Sequence, residues 1–182
     1  MTTQTENILI TGLPGSGKTT LMSKLAQELR DYGPVGFVTK EIREKGVRRG
    51  FRLLNLDGTG TGVLAHVGIT GPHRVGKYGV DLEGFERFLE ALHLGERSTP
   101  LVMIDEIGKM ECLSVMFRSL VRSLLDAPAP LLATIALKAG GFIEEIKQRP
   151  DVLLYDIDER NRDALLLGIA DRARSLAALS RS

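Results

Sequence analysis

The sequence predicts an α/β domain in which a mostly parallel sheet lies between two layers of helices, with one antiparallel hairpin inserted. Three observations carry this expectation. Apolar, β-rich runs alternate with amphipathic helical stretches along the 182 residues, the pattern left by strands joined through helical crossovers. A glycine-rich octet, Gly12-Leu13-Pro14-Gly15-Ser16-Gly17-Lys18-Thr19, joins the first apolar run to the first helical stripe. Between residues 50 and 67 two strand-like runs follow each other with no helical pattern between them, so a hairpin or meander interrupts the alternation.

Each element has its own signal. Ile8-Leu9-Ile10 is a short apolar strand, and Thr19 to Arg30 places Leu21, Leu25 and Leu29 on one helical stripe. Tyr32-Gly33-Pro34 stops that helix, and Val35 to Ile42 is a β-rich run. Gly50 to Leu56 and Gly62 to Val67 form the hairpin strands around the turn Asp57-Gly58-Thr59-Gly60. A loop is expected over Thr70 to Gly79. Asp81 then caps a helix from Leu82 to Leu94, whose buried face holds Phe85, Phe88, Leu89 and Leu92. Strands at Leu101 to Ile104, Leu131 to Leu137 and Val152 to Ile157 alternate with helices at Ser114 to Leu125, Gly140 to Gln148 and Arg160 to Leu179. The length suits a single domain over residues 1–182.

Composition narrows the class. With 43% hydrophobic and 26% charged residues the chain is globular rather than disordered. A net charge of +1 lacks the basic excess of a nucleic-acid binder, so no polyanion beyond a nucleotide is expected. Cys112 is the single cysteine, which excludes a disulfide framework and a cysteine metal site. The start of the chain, Met1 to Glu6, is polar and unlike a signal peptide, and no apolar run reaches the ~18 residues of a membrane span. A cytoplasmic monomer is the expectation.

The octet is a P-loop, Gly-x-x-x-x-Gly-Lys-[Ser/Thr], in the strand-then-helix setting the motif requires. Its glycines let backbone N–H groups turn around phosphate oxygens, and the helix beginning near Gly17 adds the positive end of its dipole. Lys18 is expected on the β- and γ-phosphates, and the Thr19 hydroxyl on Mg²⁺. Asp105, delivered by the buried run Leu101 to Ile104, is the second expected metal ligand. Glu106 beside it is placed to order an attacking water as general base, with a solvated loop cap as the alternative. Lys40, Glu41, Arg43, Arg74, Lys77 and Lys109 stand in loops or strand ends where a charge facing the γ-phosphate is conceivable, and Thr134 ends a strand on the same edge. Asn161-Arg162 follows the last strand, where a loop can touch base or ribose or simply cap the helix. No metal-ligand spacing joins His66, His73 and His93.

Six blocks in order make the chain recognisable: the P-loop, Gly36 to Arg43 (GFVTKEIR), Arg49-Gly50-Phe51, Tyr78 to Leu82 (YGVDL), Asp105 to Glu111 (DEIGKME) and Glu159 to Arg162 (ERNR). Together they resemble the small stand-alone P-loop nucleoside-triphosphatase family of the cancer-related nucleoside-triphosphatase type. The resemblance spans nearly the whole chain and is most specific at Asp105 to Glu111. It implies a three-layer P-loop NTPase with a RecA-like core, and slow, Mg²⁺-dependent hydrolysis of ATP, GTP and other nucleoside triphosphates. By position, Lys18 and Glu106 match the catalytic pair, and Thr19 and Asp105 the metal ligands. The nucleotide-contacting set becomes Gly12, Leu13, Pro14, Gly15, Ser16, Gly17, Lys18, Thr19 and Thr20. To these it adds Val102, Met103, Ile104, Asp105, Glu106, Ile107, Gly108 and Lys109, with Asn161 and Arg162. The link at Leu94 to Pro100 is compact, and the loop at Thr70 to Lys77 has its own composition. A small-molecule or nucleoside kinase and a nucleotide-gated binding module share the same P-loop and stay as alternatives.

Overall fold

The computed structural model describes residues 6–95 and 100–180, so residues 96–99 of the compact link and residues 1–5 of the polar start lie outside it. The strands are β1 (Asn7–Thr11), β2 (Val35–Glu44), β3 (Val47–Asn55), β4 (Thr61–His66), β5 (Arg74–Val75), β6 (Tyr78–Val80), β7 (Val102–Ile107), β8 (Leu131–Ile135) and β9 (Val152–Asp156). The helices are α1 (Lys18–Glu28), α2 (Leu82–Leu92), α3 (Val115–Leu125), α4 (Gly141–Lys147) and α5 (Arg162–Leu179). All nine strands join one sheet in the order β5-β6-β4-β3-β2-β7-β8-β1-β9.

The block β2-β7-β8-β1-β9 is parallel throughout. Its central strands are apolar on both faces because helices cover both. Side-chain alternation divides β1 accordingly. Ile8 and Ile10 join Leu21, Leu25, Met103, Leu132 and Ile169 in the core under α1 and α5. Leu9 joins Phe37, Phe85, Phe117, Ile104 and Ala133 in the core under α2, α3 and α4. This is the three-layer, RecA-like core expected. Its decisive detail is β8, which lies between the strand before the P-loop and the strand that ends in the two acids.

The antiparallel part is larger than a hairpin. β2 runs past Ile42 to Glu44, turns through Lys45 and Gly46 at positive φ, and returns as β3 from Val47. A two-residue turn of this kind matches the twist of its strands. Charged residues fill both arms, so no apolar alternation betrays the pairing. β5 and β6 add a further short hairpin inside the stretch expected as a loop. Asp81 caps α2 as expected, its Oδ1 accepting from Gly84 N–H at 2.9 Å, while Ser114, expected inside a helix, caps α3 by accepting from Phe117 N–H at 3.0 Å. α5 starts two residues late, at Arg162, because the Asp158 carboxylate takes the N–H groups of Arg160 and Asn161 at 2.8 and 2.9 Å.

One buried polar residue ties the layers together. Asn7 Nδ2 donates to the Leu125 carbonyl at 3.0 Å, and its Oδ1 accepts from Leu131 N–H at 2.9 Å, linking β1 to the end of α3 and the start of β8. Replacing Asn7 by Ala strands both backbone groups in the core. Urea unfolding should show a loss of about 2–4 kcal/mol, since buried unpaired groups cost more than a hydrogen bond contributes.

Candidate active site

The P-loop closes as its residue types require. Gly17 is left-handed (φ 90°) and N-caps α1 without any side-chain cap, so the first N–H groups of the helix point at the loop's concavity. A Cβ on Gly17 would also collide with the Arg162 guanidinium, which packs over the loop. Ser16 N–H donates to the Leu13 carbonyl at 3.0 Å. Lys18 Nζ spans the loop, donating to the carbonyls of Gly12 and Leu13 at 3.0 and 3.3 Å. The hydroxyls of Thr11 and Ser16 are buried with no partner.

Asp105 stands opposite, 1% exposed, near the end of β7. Three threonines from three elements hold it. Thr134 Oγ1, from the adjacent β8, donates to Asp105 Oδ1 at 2.6 Å, and Thr39 Oγ1 of β2 donates to the Asp105 carbonyl at 2.5 Å. The Thr19 hydroxyl, at the start of α1, approaches the same carboxylate. Oδ2 is buried and has no partner. Burial raises the pKa of Asp105 above the ordinary carboxylate range, opposed by the Thr134 and Thr19 hydroxyls, the Thr39 backbone and the charge of Lys18. Glu106 is partly buried, joined to Asp105 by a cis peptide bond, where the β7–β8 register shifts between Ile104 and Ile107. Its pKa is raised by burial, with Lys18 opposing and the Asp105 charge adding.

A family model described as NTPase matches residues 7–170. The chain belongs to the NTPase family. It is 44% identical over 160 residues to the nucleoside-triphosphatase THEP1 of Thermotoga maritima, covering 87% of this chain and 90% of that one. It is 40% identical over 185 residues to the human cancer-related nucleoside-triphosphatase, covering 93% and 97%. The solution structure of a human cancer-related nucleoside triphosphatase superposes with a TM-score of 0.79 at 38% identity, over 93% of this chain and 98% of that one. The crystal structure of THEP1 from the hyperthermophile Aquifex aeolicus gives 0.78 at 35% identity, over 90% and 96%.

The other expected residues of this NTPase fall into distinct places. Gly12 to Thr19, Asp105 and Glu106 gather at one edge of the sheet. Val102, Met103, Ile104 and Ile107 lie in the two cores, where they carry Asp105 and Glu106 into position. Thr20 is exposed on α1. A cleft of about 450 Å³ beside the P-loop is lined by Leu13, Pro14, Leu137, Asp158 and Asn161 among others. Asn161 turns inward there, donating to the Asp156 carbonyl at 3.1 Å and accepting from Asp158 N–H at 2.9 Å. Arg162 pairs with Asp163 at 3.1 Å. Lys109 opens into a separate cleft of about 300 Å³ with Cys112, Arg118 and Phe142.

The charges suggested for the γ-phosphate are mostly engaged elsewhere. Glu41 binds Arg43 and Arg48 at 2.6 and 2.9 Å, Arg74 donates to the Lys77 carbonyl, and Lys77 lies over the Tyr78 ring. Lys40 is exposed, two residues beyond Val38, the strand partner of Asp105, and on the same face of β2. The Cys112 thiol is pushed up to about 12, chiefly by burial, which keeps it neutral.

Thr134, a candidate from the sequence for a hydrogen bond to water or γ-phosphate, instead holds Asp105. One residue escaped a functional reading in the sequence. Glu111 has no periodicity or spacing that marks it, yet it is 5% exposed and lies in a single 3₁₀ turn (Glu111–Leu113) behind the acids. Burial, with Glu106 and then Asp105 adding repulsion, raises its pKa to about 8. A folded-state pKa above the unfolded value of 4.5 means the native protein holds this proton longer. The stabilisation is complete below pH 4.5 and is lost progressively up to about pH 8. Glu111→Gln should remove this component, raising the melting temperature relative to wild type at pH 8 and leaving the difference small at pH 4.5.

Proposed function

We propose that the chain binds a nucleoside triphosphate across the P-loop with Mg²⁺ and hydrolyses its γ-phosphate with water ordered by Glu106. One observation carries the reading: the free, buried Asp105 Oδ2 stands beside the Thr19 hydroxyl, with a second carboxylate next in the chain. An unpaired oxygen of a buried carboxylate calls for a cation. No group of three or more His, Cys, Asp or Glu side chains able to hold a metal occurs among the described residues, so a metal cage made by the protein alone is not what these residues form. A hard cation that keeps most of its waters and takes its other ligands from phosphate suits one carboxylate and one hydroxyl, and Mg²⁺ is such an ion. It would supply charge neutralisation at the phosphates.

The protein's own groups supply the rest. Backbone N–H groups of the P-loop and Lys18 bear phosphate charge that grows in the transition state. Glu106 accepts a hydrogen bond from the attacking water and takes its proton as the oxygen–phosphorus bond forms. Burial and Asp105 raise its basicity toward the range where a general base works at neutral pH. Leu13, Pro14 and Leu137 give the cleft apolar walls for a base, while Asn161 and Asp158 spend hydrogen bonds on their own loop. Such a subsite supports hydrolysis of ATP, GTP and other nucleoside triphosphates with little preference. As a member of the NTPase family the chain is a nucleoside-triphosphatase, a hydrolase of acid anhydrides.

Phosphate release measured with ATP, GTP, CTP and UTP should proceed with Mg²⁺ and no acceptor. Glu106→Gln should lower kcat about 10²- to 10³-fold while nucleotide still binds; an undiminished rate would remove Glu106 from the chemistry. Acceptor-dependent transfer far faster than hydrolysis would turn the reading to a kinase. Thr134→Val, which loses only the hydroxyl, should cost about tenfold or more in Mg²⁺-dependent activity and leave nucleotide binding in EDTA unchanged.

A further inference from the structure

The mechanism above leaves one buried acid without a task. Asp151, comparably buried, has Arg149 at 2.7 Å. The charges that act most on Glu111 are Glu106 and Asp105, both of its own sign. Removing a carboxyl from water without a counter-charge destabilises a fold, and an apolar residue would fill this place at lower cost. Its presence therefore points away from stability.

Its placement is specific. The chain leaving Glu106 is pinned at Ile107, whose carbonyl accepts from Ala136 N–H at 3.1 Å, and then turns tightly, with Cys112 N–H donating to the Gly108 carbonyl at 3.0 Å. Gly108 lies between the two acids. A Cβ there would stand 2.7 Å from Glu111 Oε2 and 3.5 Å from Glu106 Cδ, so both carboxyl groups pack against one glycine. The Glu111 carboxyl also accepts from Gly108 N–H and from its own N–H. It thus lies against the backbone two residues after Glu106, on the same glycine that the Glu106 carboxyl packs against.

We propose that Glu111 is a positioning residue of the hydrolytic site, holding the Gly108 turn and, through it, the Glu106 carboxylate in line for the attacking water. The inference rests on the role of Glu106 given above. What matters is the reach of the side chain and its acceptor oxygen, not its charge. Small displacements of a reacting group are costly, on the order of 10²-fold for about 1 Å.

Three variants of the full chain test this: Glu111→Gln, which keeps length and acceptor; Glu111→Asp, which keeps the acid but withdraws it by one methylene; and Glu106→Gln as control. Steady-state hydrolysis of ATP with Mg²⁺ gives kcat and KM, and thermal unfolding at pH 8 reports the fold. Glu111→Gln should retain kcat within about threefold, while Glu111→Asp should lose about tenfold or more with KM and melting temperature near those of wild type. A Glu111→Asp enzyme with wild-type kcat overturns the inference. So does one that loses kcat, nucleotide affinity and melting temperature together, which marks a structural role. Equal damage in Glu111→Gln and Glu111→Asp overturns it in favour of a charge effect. A fully active Glu106→Gln rejects the hydrolytic reading itself and this inference with it; an inactive Glu106→Gln beside a wild-type Glu111→Asp rejects the inference alone.

Discussion

Asp105 is a carboxylate held where charge is disfavoured, and the architecture around it exists to hold it there. A buried anion is tolerated only when its lone pairs are met. Here the groups that act on the carboxylate are the Thr134 hydroxyl of β8, the Thr39 backbone of β2 and the Thr19 hydroxyl of α1, elements far apart in the chain. Only a sheet that inserts β8 beside β7 and sets β2 on the other side brings Thr134 and Thr39 to the same aspartate. The hydrogen bond from Thr134 fixes one carboxylate oxygen, which leaves the other directed and unpaired.

The rest of the edge follows. Parallel strands end together, so the P-loop after β1 and the acids of β7 converge without further device, as ligand sites of such sheets do. Three carboxyl groups, Asp105, Glu106 and Glu111, then crowd a small volume in which Lys18 is the cation acting on the first two. Like charges this close favour protons or cations between them. The site thus carries a local electrostatic strain that the two apolar cores must outweigh.

The antiparallel extension solves a different problem. Its strands carry many charges, and much of its cationic surface is neutralised or stacked internally. Glu41 holds two arginines, and Arg48 lies over both Phe51 and Tyr78, at 5.3 and 5.9 Å from the ring centroids. Charged residues also suit strands near a sheet edge, where they oppose pairing with other chains. Packing of Phe37 against Phe85 and Phe88 joins this part to the three-layer core.

The chain's periodicities and punctuation by themselves determined the parallel core, the capped start of α2, and the P-loop with its acid pair, because those features depend on neighbours a few residues apart. The β2–β3 and β5–β6 turns were not legible, since their strands are polar on exposed faces and gain their order from ladder hydrogen bonds rather than from burial. The partners of Thr39, Glu111 and Thr134 were hidden for a related reason, although Thr134 stood out by its place at a strand end. A threonine or glutamate carries no local mark of what it will face, and each acquires its place only when sheet order sets β8 and β2 beside β7, or when a tight turn folds Glu111 back on Gly108. Sequence determined the P-loop and the acid pair; tertiary structure decided what holds those groups still, because that depends on distance through space and on the loss of water around them.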